Sequence, residues 1–153
     1  MKKNLLILGF LFFTLTLVKS AYAQNSVHVY EYWNGTTSKH FYTTDYNELG
    51  GGNSTWRLDG IIGDLYNEPG GGAVYRFYQP SSGAHYYTKN RNIYPSGFQY
   101  ESILGYVSPA GYINFGKTAV YEFYQPQSGD YYYSTNSTTP GGYHLNGVSY
   151  YVF

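Results

Sequence analysis

Cysteine is absent from all 153 residues, which excludes disulfide staples and cysteine-based metal motifs and leaves no thiol for lipid attachment. Charge is scarce at 12 % of residues, and only nine of the residues are Lys or Arg. The basic residues beyond the N-terminus are scattered singly, which argues against a phosphate backbone or an anionic membrane surface as partner. A long hydrophobic run is also missing after residue 23, so no later segment approaches the roughly 20 apolar residues of a membrane span. Nor does any later stretch sustain an apolar period near 3.6, and Gly50-Gly51-Gly52 and Gly70-Gly71-Gly72 interrupt any helix there.

What is present begins with an export signature. Lys2 and Lys3 precede an apolar run from Leu5 to Val18, and Ala21-Tyr22-Ala23 has the small-residue form of a cleavage site. Residues 1 to 23 are therefore expected to be a signal peptide, and the mature chain to be secreted, extracellular or periplasmic, and not anchored by lipid. Their removal takes Lys2, Lys3 and Lys19 and leaves six basic against nine acidic residues, a mildly acidic remainder. Residues 24 to 153 suffice for a single domain with its own core. The material for that core is aromatic: 22 tyrosines and 9 phenylalanines, each removing about 150 to 250 Å² from water when buried. Each buried tyrosine also needs a partner for its hydroxyl.

The chain repeats itself three times, and the period decides the architecture before any single residue does. Val29-Tyr30-Glu31-Tyr32-Trp33, Val74-Tyr75-Arg76-Phe77-Tyr78 and Val120-Tyr121-Glu122-Phe123-Tyr124 open the copies, 45 and 46 residues apart. Ten residues after each opening tyrosine come His40-Phe41-Tyr42-Thr43, His85-Tyr86-Tyr87-Thr88 and Tyr131-Tyr132-Tyr133-Ser134. Closing blocks start at Trp56, Phe98 and Tyr143. The copies span about 27–73, 74–119 and 120–153, and differ mainly between their second and third blocks.

Each block is rich in aromatic and β-branched residues and bounded by Gly, Pro, Asn and Ser, as short strands joined by turns are. Gln79-Pro80-Ser81-Ser82-Gly83 and Gln125-Pro126-Gln127-Ser128-Gly129 read as hairpin turns ending in a left-handed residue. The first copy has Asn34-Gly35 instead. Alternation puts Tyr30 and Tyr32, Tyr75 and Phe77, Tyr121 and Phe123 on one face, expected to be the core, with Glu31, Arg76 and Glu122 opposite. The expected fold is all-β with pseudo-threefold closure. A β-trefoil is the first choice; three clear strands per copy, where a trefoil has four, keep a three-bladed propeller or a prism as alternatives.

At these residues the chain resembles a repeat family of secreted and cell-surface bacterial proteins. That family shows a Tyr-Arg-x-Tyr block, a Pro-x-x-Gly turn, a His-x-Tyr-Thr block and a Gly-aromatic-x-x-Glu-Gly-Ile block. The middle copy follows the order through Tyr75 to Tyr78, Pro80 to Gly83, His85 to Thr88 and Gly97 to Ile103, with Ser102 where glycine is usual. Glu31 and Glu122 stand in place of the arginine in the other copies, and Tyr131 in place of the histidine. The resemblance implies a domain often appended to secreted hydrolases and wall-associated proteins, with no settled activity of its own.

The chemistry on offer is recognition rather than reaction. His40 and His85 share one repeat position, but the third copy holds Tyr131, so a symmetric three-histidine metal site is not expected. No nucleophile elbow or phosphate loop is present, and the carboxylates sit at repeat positions that vary, as Glu31, Arg76 and Glu122 do. No catalytic residue, metal or cofactor is assigned. Trp33, Tyr78 and Tyr124 share a repeat position and form the expected surface set, able to stack on a pyranose while amide side chains bond its hydroxyls. With His40, His85 and Arg76 they make the candidate ligand-contacting residues. The expectation is a non-catalytic module for a glycan or other cell-surface component; the alternatives are an adhesive protein binding a protein partner and, last, a small hydrolase.

Overall fold

The computed structural model describes residues 25–108 and 117–153; the expected signal peptide lies outside the described residues. The architecture is all-β, with one 3-10 turn at Tyr46–Glu48. The strands are β1 (Ser26–Asn34), β2 (Lys39–Thr43), β3 (Arg57–Tyr66), β4 (Ala73–Gln79), β5 (Ala84–Thr88), β6 (Gln99–Tyr106), β7 (Thr118–Gln125), β8 (Asp130–Ser134) and β9 (His144–Val152).

Strands one and two of each copy form the hairpin that the turn residues encode. Trp33 faces His40, Tyr78 faces His85 and Tyr124 faces Tyr131 in the three registers. Gly83 and Gly129 close their turns with φ of 70° and 67°, the left-handed conformation glycine adopts without penalty. In the first hairpin Ser38 takes that place at φ 53°, while the Asn34 side chain accepts the N–H groups of Thr36 and Thr37.

The third strand of each copy lies along the other side of the first, antiparallel, with the register slipping twice. Glu31 pairs with Gly60 and Tyr32 with Leu58, so Asp59 is the extra residue; Glu101 and Asn146 are the extra residues at the same slip in β6 and β9. Such a bulge re-aims the side chain of its extra residue. A six-stranded sheet results, in the order β2-β1-β3-β6-β4-β5, beside a three-stranded sheet β8-β7-β9. The larger sheet is held together in the middle by a single pair, Tyr66 with Tyr106. It curls until its edges β2 and β5 meet, a nearly closed, barrel-like form. The smaller sheet joins through two backbone bonds between Asp64 and Phe153, of 2.9 and 3.2 Å.

The edges that meet, β2, β5 and β8, are the short inner strands, and their outward-facing N–H and C=O groups have no neighbouring strand. Buried, such groups must be paired. Three tyrosines do most of it, and the Ser149 hydroxyl donates to the Tyr87 carbonyl at 2.9 Å. The Tyr87 hydroxyl accepts the Tyr42 N–H at 2.8 Å and donates to the Tyr42 carbonyl at 2.9 Å. The Tyr42 hydroxyl does the same for Tyr133, at 2.9 Å each way, and the Tyr133 hydroxyl accepts the Tyr87 N–H at 2.9 Å. A residue's own N–H and C=O point to the same side of its strand, and a hydroxyl is both donor and acceptor, so one phenol replaces one rung of a ladder. The rings stand nearly perpendicular in pairs, with centroids 5.4, 5.5 and 5.2 Å apart. All three are fully buried.

The expected core face holds for Tyr32, Phe77 and Phe123, which are fully buried. The opposite face is buried as well: Val29, Val74 and Val120 are sealed, and Arg76 and Glu122 are each only 8 % exposed. Packing from the neighbouring copies covers the face that charge alone would have assigned to solvent.

Candidate functional site

Midway along β1, β4 and β7, the residue two places after the buried valine stands across the hairpin from one of the three buried tyrosines. These are Glu31, Arg76 and Glu122. The bulged residue stands next to each: Asn146 donates to Glu122 at 2.8 Å, and Glu101 approaches the Arg76 Nε at 2.8 Å, off the line of a hydrogen bond. The three buried tyrosines approach two of them: the Tyr42 hydroxyl, whose proton goes to the Tyr133 carbonyl, lies 3.1 Å from Glu31, and Tyr133 donates to Glu122 at 3.3 Å.

Aromatic rings from adjoining copies frame each junction in the same sequence. Trp33 packs on His40, His40 on Tyr132 and Tyr132 on Tyr143, at 4.5, 4.6 and 5.8 Å between centroids. Tyr78, His85, Phe41 and Trp56 follow at 4.9, 4.8 and 5.7 Å, and Tyr124, Tyr131, Tyr86 and Phe98 at 4.9, 4.9 and 5.9 Å. The expected surface rings Trp33, Tyr78 and Tyr124 are thus half-buried outer members of these stacks.

Each junction opens to solvent as a shallow cleft. One, of about 300 Å³, is lined by Glu31, His40, Asp59, Tyr132, Pro140 and Tyr143. A second, of about 300 Å³, includes Thr43, Glu48, Arg76 and Ser102. The third, of about 220 Å³, includes Tyr86, Thr88, Glu122, Asn146 and Ser149. A separate groove of about 270 Å³ lies beside Trp33, with Trp56, Asn53, Thr36, Thr55 and Arg57 around it.

Shared geometry carries different electrostatics. Arg76 forks onto Glu48 at 2.9 and 3.1 Å. Burial works to raise the Glu48 carboxyl, but the hydrogen bonds from Arg76 and Thr43 hold it below its usual range. Burial, and then the Arg76 guanidinium, push His85 down to about 4, so this histidine is neutral at physiological pH, and its Nδ1 is buried without a hydrogen bond. His40 instead meets Asp130, which is fully buried and accepts its Nδ1 at 2.6 Å, its backbone N–H at 2.9 Å and the Tyr143 hydroxyl at 2.9 Å. Burial raises the carboxyls of Glu31 and Glu122. In the first cleft Asp59 is clamped by Arg57 at 2.5 and 3.0 Å. Among the described residues no group of three or more His, Asp or Glu side chains is arranged to hold a metal ion.

Of the candidates named from the sequence, His40 lines the first cleft, Arg76 the second and Trp33 the groove, while His85, Tyr78 and Tyr124 serve the ring stacks. The residues that were missed reach the clefts from a neighbouring copy: Glu48, Asp130, Tyr132 and Tyr143. Glu48 and Tyr143 lie in or beside the connections between second and third blocks, where the copies differ most. That difference was the only signal of them.

The fold and its clefts define a tyrosine-rich, all-β domain with recesses where strand triplets adjoin. The chain belongs to the family described as Domain of unknown function (DUF5648), whose model matches residues 28–153. No curated protein and no solved structure matches it. Among the described residues no helix is long and apolar enough to cross a membrane.

Proposed function

We propose that the chain is an exported, non-catalytic module that binds glycan, built as three β units closed about a pseudo-threefold axis. The cyclic tyrosine bonds and the three matching ring stacks support the closure. Three strands per unit, nine among the described residues, favour a small propeller-like closure over a trefoil. The single observation that carries the binding reading is the groove at Trp33: two indoles beside an asparagine amide and threonine hydroxyls. That is the combination of flat apolar ring and hydrogen-bonding side chains that a pyranose requires. Catalysis ranks last, because Asp59, the second carboxylate of the Glu31 cleft, is held by Arg57.

The test is retention on insoluble bacterial wall, chitin and cellulose, and on a soluble glycan array. Wild type is compared with a Trp33→Ala, Tyr78→Ala, Tyr124→Ala variant whose folding is checked by circular dichroism. Retention lost in a folded variant is the expected result; no retention of wild type on any of these overturns the reading for those ligands. A second reading, adhesion to a protein, has its own observation. Strands β3, β6 and β9 expose Ile61, Ile103 and Val148 at 51, 39 and 47 %, one per unit, and exposed apolar side chains are what a partner surface covers.

A further inference from the structure

One junction cleft carries its own counter-charge and two do not. In the second cleft the Arg76 guanidinium is met by Glu48, at 2.9 Å, and Glu101, at 2.8 Å. At the same strand position in the third cleft stands Glu122, 8 % exposed. Its oxygens meet neutral donors, the Asn146 amide at 2.8 Å, the Tyr133 hydroxyl at 3.3 Å and the Tyr86 hydroxyl. No Lys, Arg or His lines that cleft. In the first cleft the Glu31 carboxylate lies 3.1 Å from the Tyr42 hydroxyl, whose proton goes to the Tyr133 carbonyl. The nearest cationic candidate there, His40 Nε2, is 3.9 Å away, beyond hydrogen-bond reach.

A carboxylate taken out of water without a cation is costly to the fold, and a cation delivered to it from outside recovers that cost as binding free energy. The second cleft shows that a positive group fits this place in the fold, because the chain puts one there itself. The surroundings of the two glutamates then narrow the ligand. Beside Glu31, the rings of Tyr132 and Tyr143 offer apolar faces. Around Glu122, Tyr86, Thr88, Asn146 and Ser149 offer hydroxyl and amide groups. Ring faces, hydroxyl partners and an uncompensated carboxylate together suit a sugar that carries a free amine.

We propose that the clefts at Glu31 and Glu122 receive the ammonium groups of an amino sugar, so that the glycan bound is one with free, unacetylated amines of the glucosamine type. The inference rests on the glycan-binding reading and narrows it. An N-acetylated sugar has no charge to offer and leaves both carboxylates unpaired.

Calorimetric titration of the purified protein with fully deacetylated and fully acetylated glucosamine hexamers, in slightly acidic low-salt buffer, tests it. The deacetylated hexamer is expected to bind at least tenfold tighter, with affinity falling as salt screens the contact. Glu31→Gln and Glu122→Gln, which preserve shape, are each expected to weaken it about tenfold, the size of one charge-assisted hydrogen bond. Equal binding of the two hexamers overturns this inference and leaves the glycan reading standing. Binding of neither also overturns this inference, while the glycan reading stands or falls on the wall, cellulose and array test. An oligolysine of equal charge that binds as tightly as the glucosamine hexamer also overturns it, because charge alone then suffices. The comparison of hexamers on wild type needs no variant to fold.

Discussion

The three buried tyrosines and the clefts draw on the same repeated sequence pattern, yet only the tyrosines keep nearly the same chemistry. Tyr42, Tyr87 and Tyr133 are one residue used three times, with five hydroxyl-to-backbone bonds of 2.8 to 2.9 Å; the sixth is replaced, Tyr133 donating to Glu122 and the Tyr87 carbonyl accepting from Ser149. Directly across each hairpin from these tyrosines stand Glu31, Arg76 and Glu122, and two residues further along the pairing Trp33, Tyr78 and Tyr124 face His40, His85 and Tyr131. The difference has a physical source. In the tyrosine trio each phenol satisfies backbone groups, which every copy possesses whatever its side chains. In the clefts the partners are side chains, from the same copy and from its neighbour, so one exchange of charge can be answered by another, as Arg76 is by Glu101 of its own copy and Glu48 of the preceding one.

Removing one of the three hydroxyls is the strongest way to test that contrast. Tyr87→Phe leaves the Tyr42 N–H and carbonyl buried without a partner and is expected to cost about 3 kcal/mol in urea-induced unfolding. Tyr124→Phe, in a half-buried ring whose hydroxyl makes no hydrogen bond among the described residues, is expected to stay within about 0.5 kcal/mol. Equal losses at the two sites would remove the distinction between the buried trio and the periphery.

The second prediction concerns the cleft side of the contrast and is a pH dependence. His85 titrates at about 4 in the folded protein against an ordinary value of 6.5. The unfolded chain therefore binds the proton first as pH falls. Stability is unaffected by this group above the ordinary value and declines from there down to about 4, by up to about 3 kcal/mol. His85→Tyr, which installs the residue the third copy holds there, is expected to flatten that part of the stability profile. The groups facing the ring are the Glu101 carboxylate, 3.6 Å from Nε2, and the rings of Phe41 and Tyr78, with the charges of Arg76, Glu48 and Asp130 acting on it as well. Unfolding curves at several pH values, with the imidazole followed by NMR, check both statements.

Much of the fold was legible because the cues were local. The strand blocks, the glycine-closed turns after Gln79 and Gln125 and the expectation of three strands per copy all follow from short-range pattern, and the described strands fall on those blocks. The need of buried tyrosines for hydroxyl partners was legible too. Which tyrosines, and which partners, was not, since Tyr42 meets Tyr133 across 91 residues only when the copies adjoin. The same limit hid the site. Alternation correctly separated Glu31, Arg76 and Glu122 from Tyr32, Phe77 and Phe123, but period-two pattern cannot tell that both faces are covered. Asp130 gave no sign of reaching His40, because its counterparts in the other copies are Lys39 and Ala84.

The smallest effect sits where the first copy departs from the other two in its backbone. Ser38 holds φ 53° at the place where Gly83 and Gly129 hold 70° and 67°. A side chain there brings Cβ against the following carbonyl, at roughly 1 kcal/mol. The serine hydroxyl makes no hydrogen bond among the described residues to offset it, whereas the neighbouring turn is organised by Asn34 accepting Thr36 and Thr37 at 3.0 and 3.1 Å. Ser38→Gly relieves the crowding but adds freedom to the unfolded chain, which returns part of the gain. A net stabilisation of about 0.5 kcal/mol is expected, and Gly83→Ser should lose about 1 kcal/mol at the matching site. If Ser38→Gly were instead destabilising, the Asn34-bonded loop would have to depend on the serine Cβ for its shape. The first hairpin would then differ from the others in design and not only in sequence.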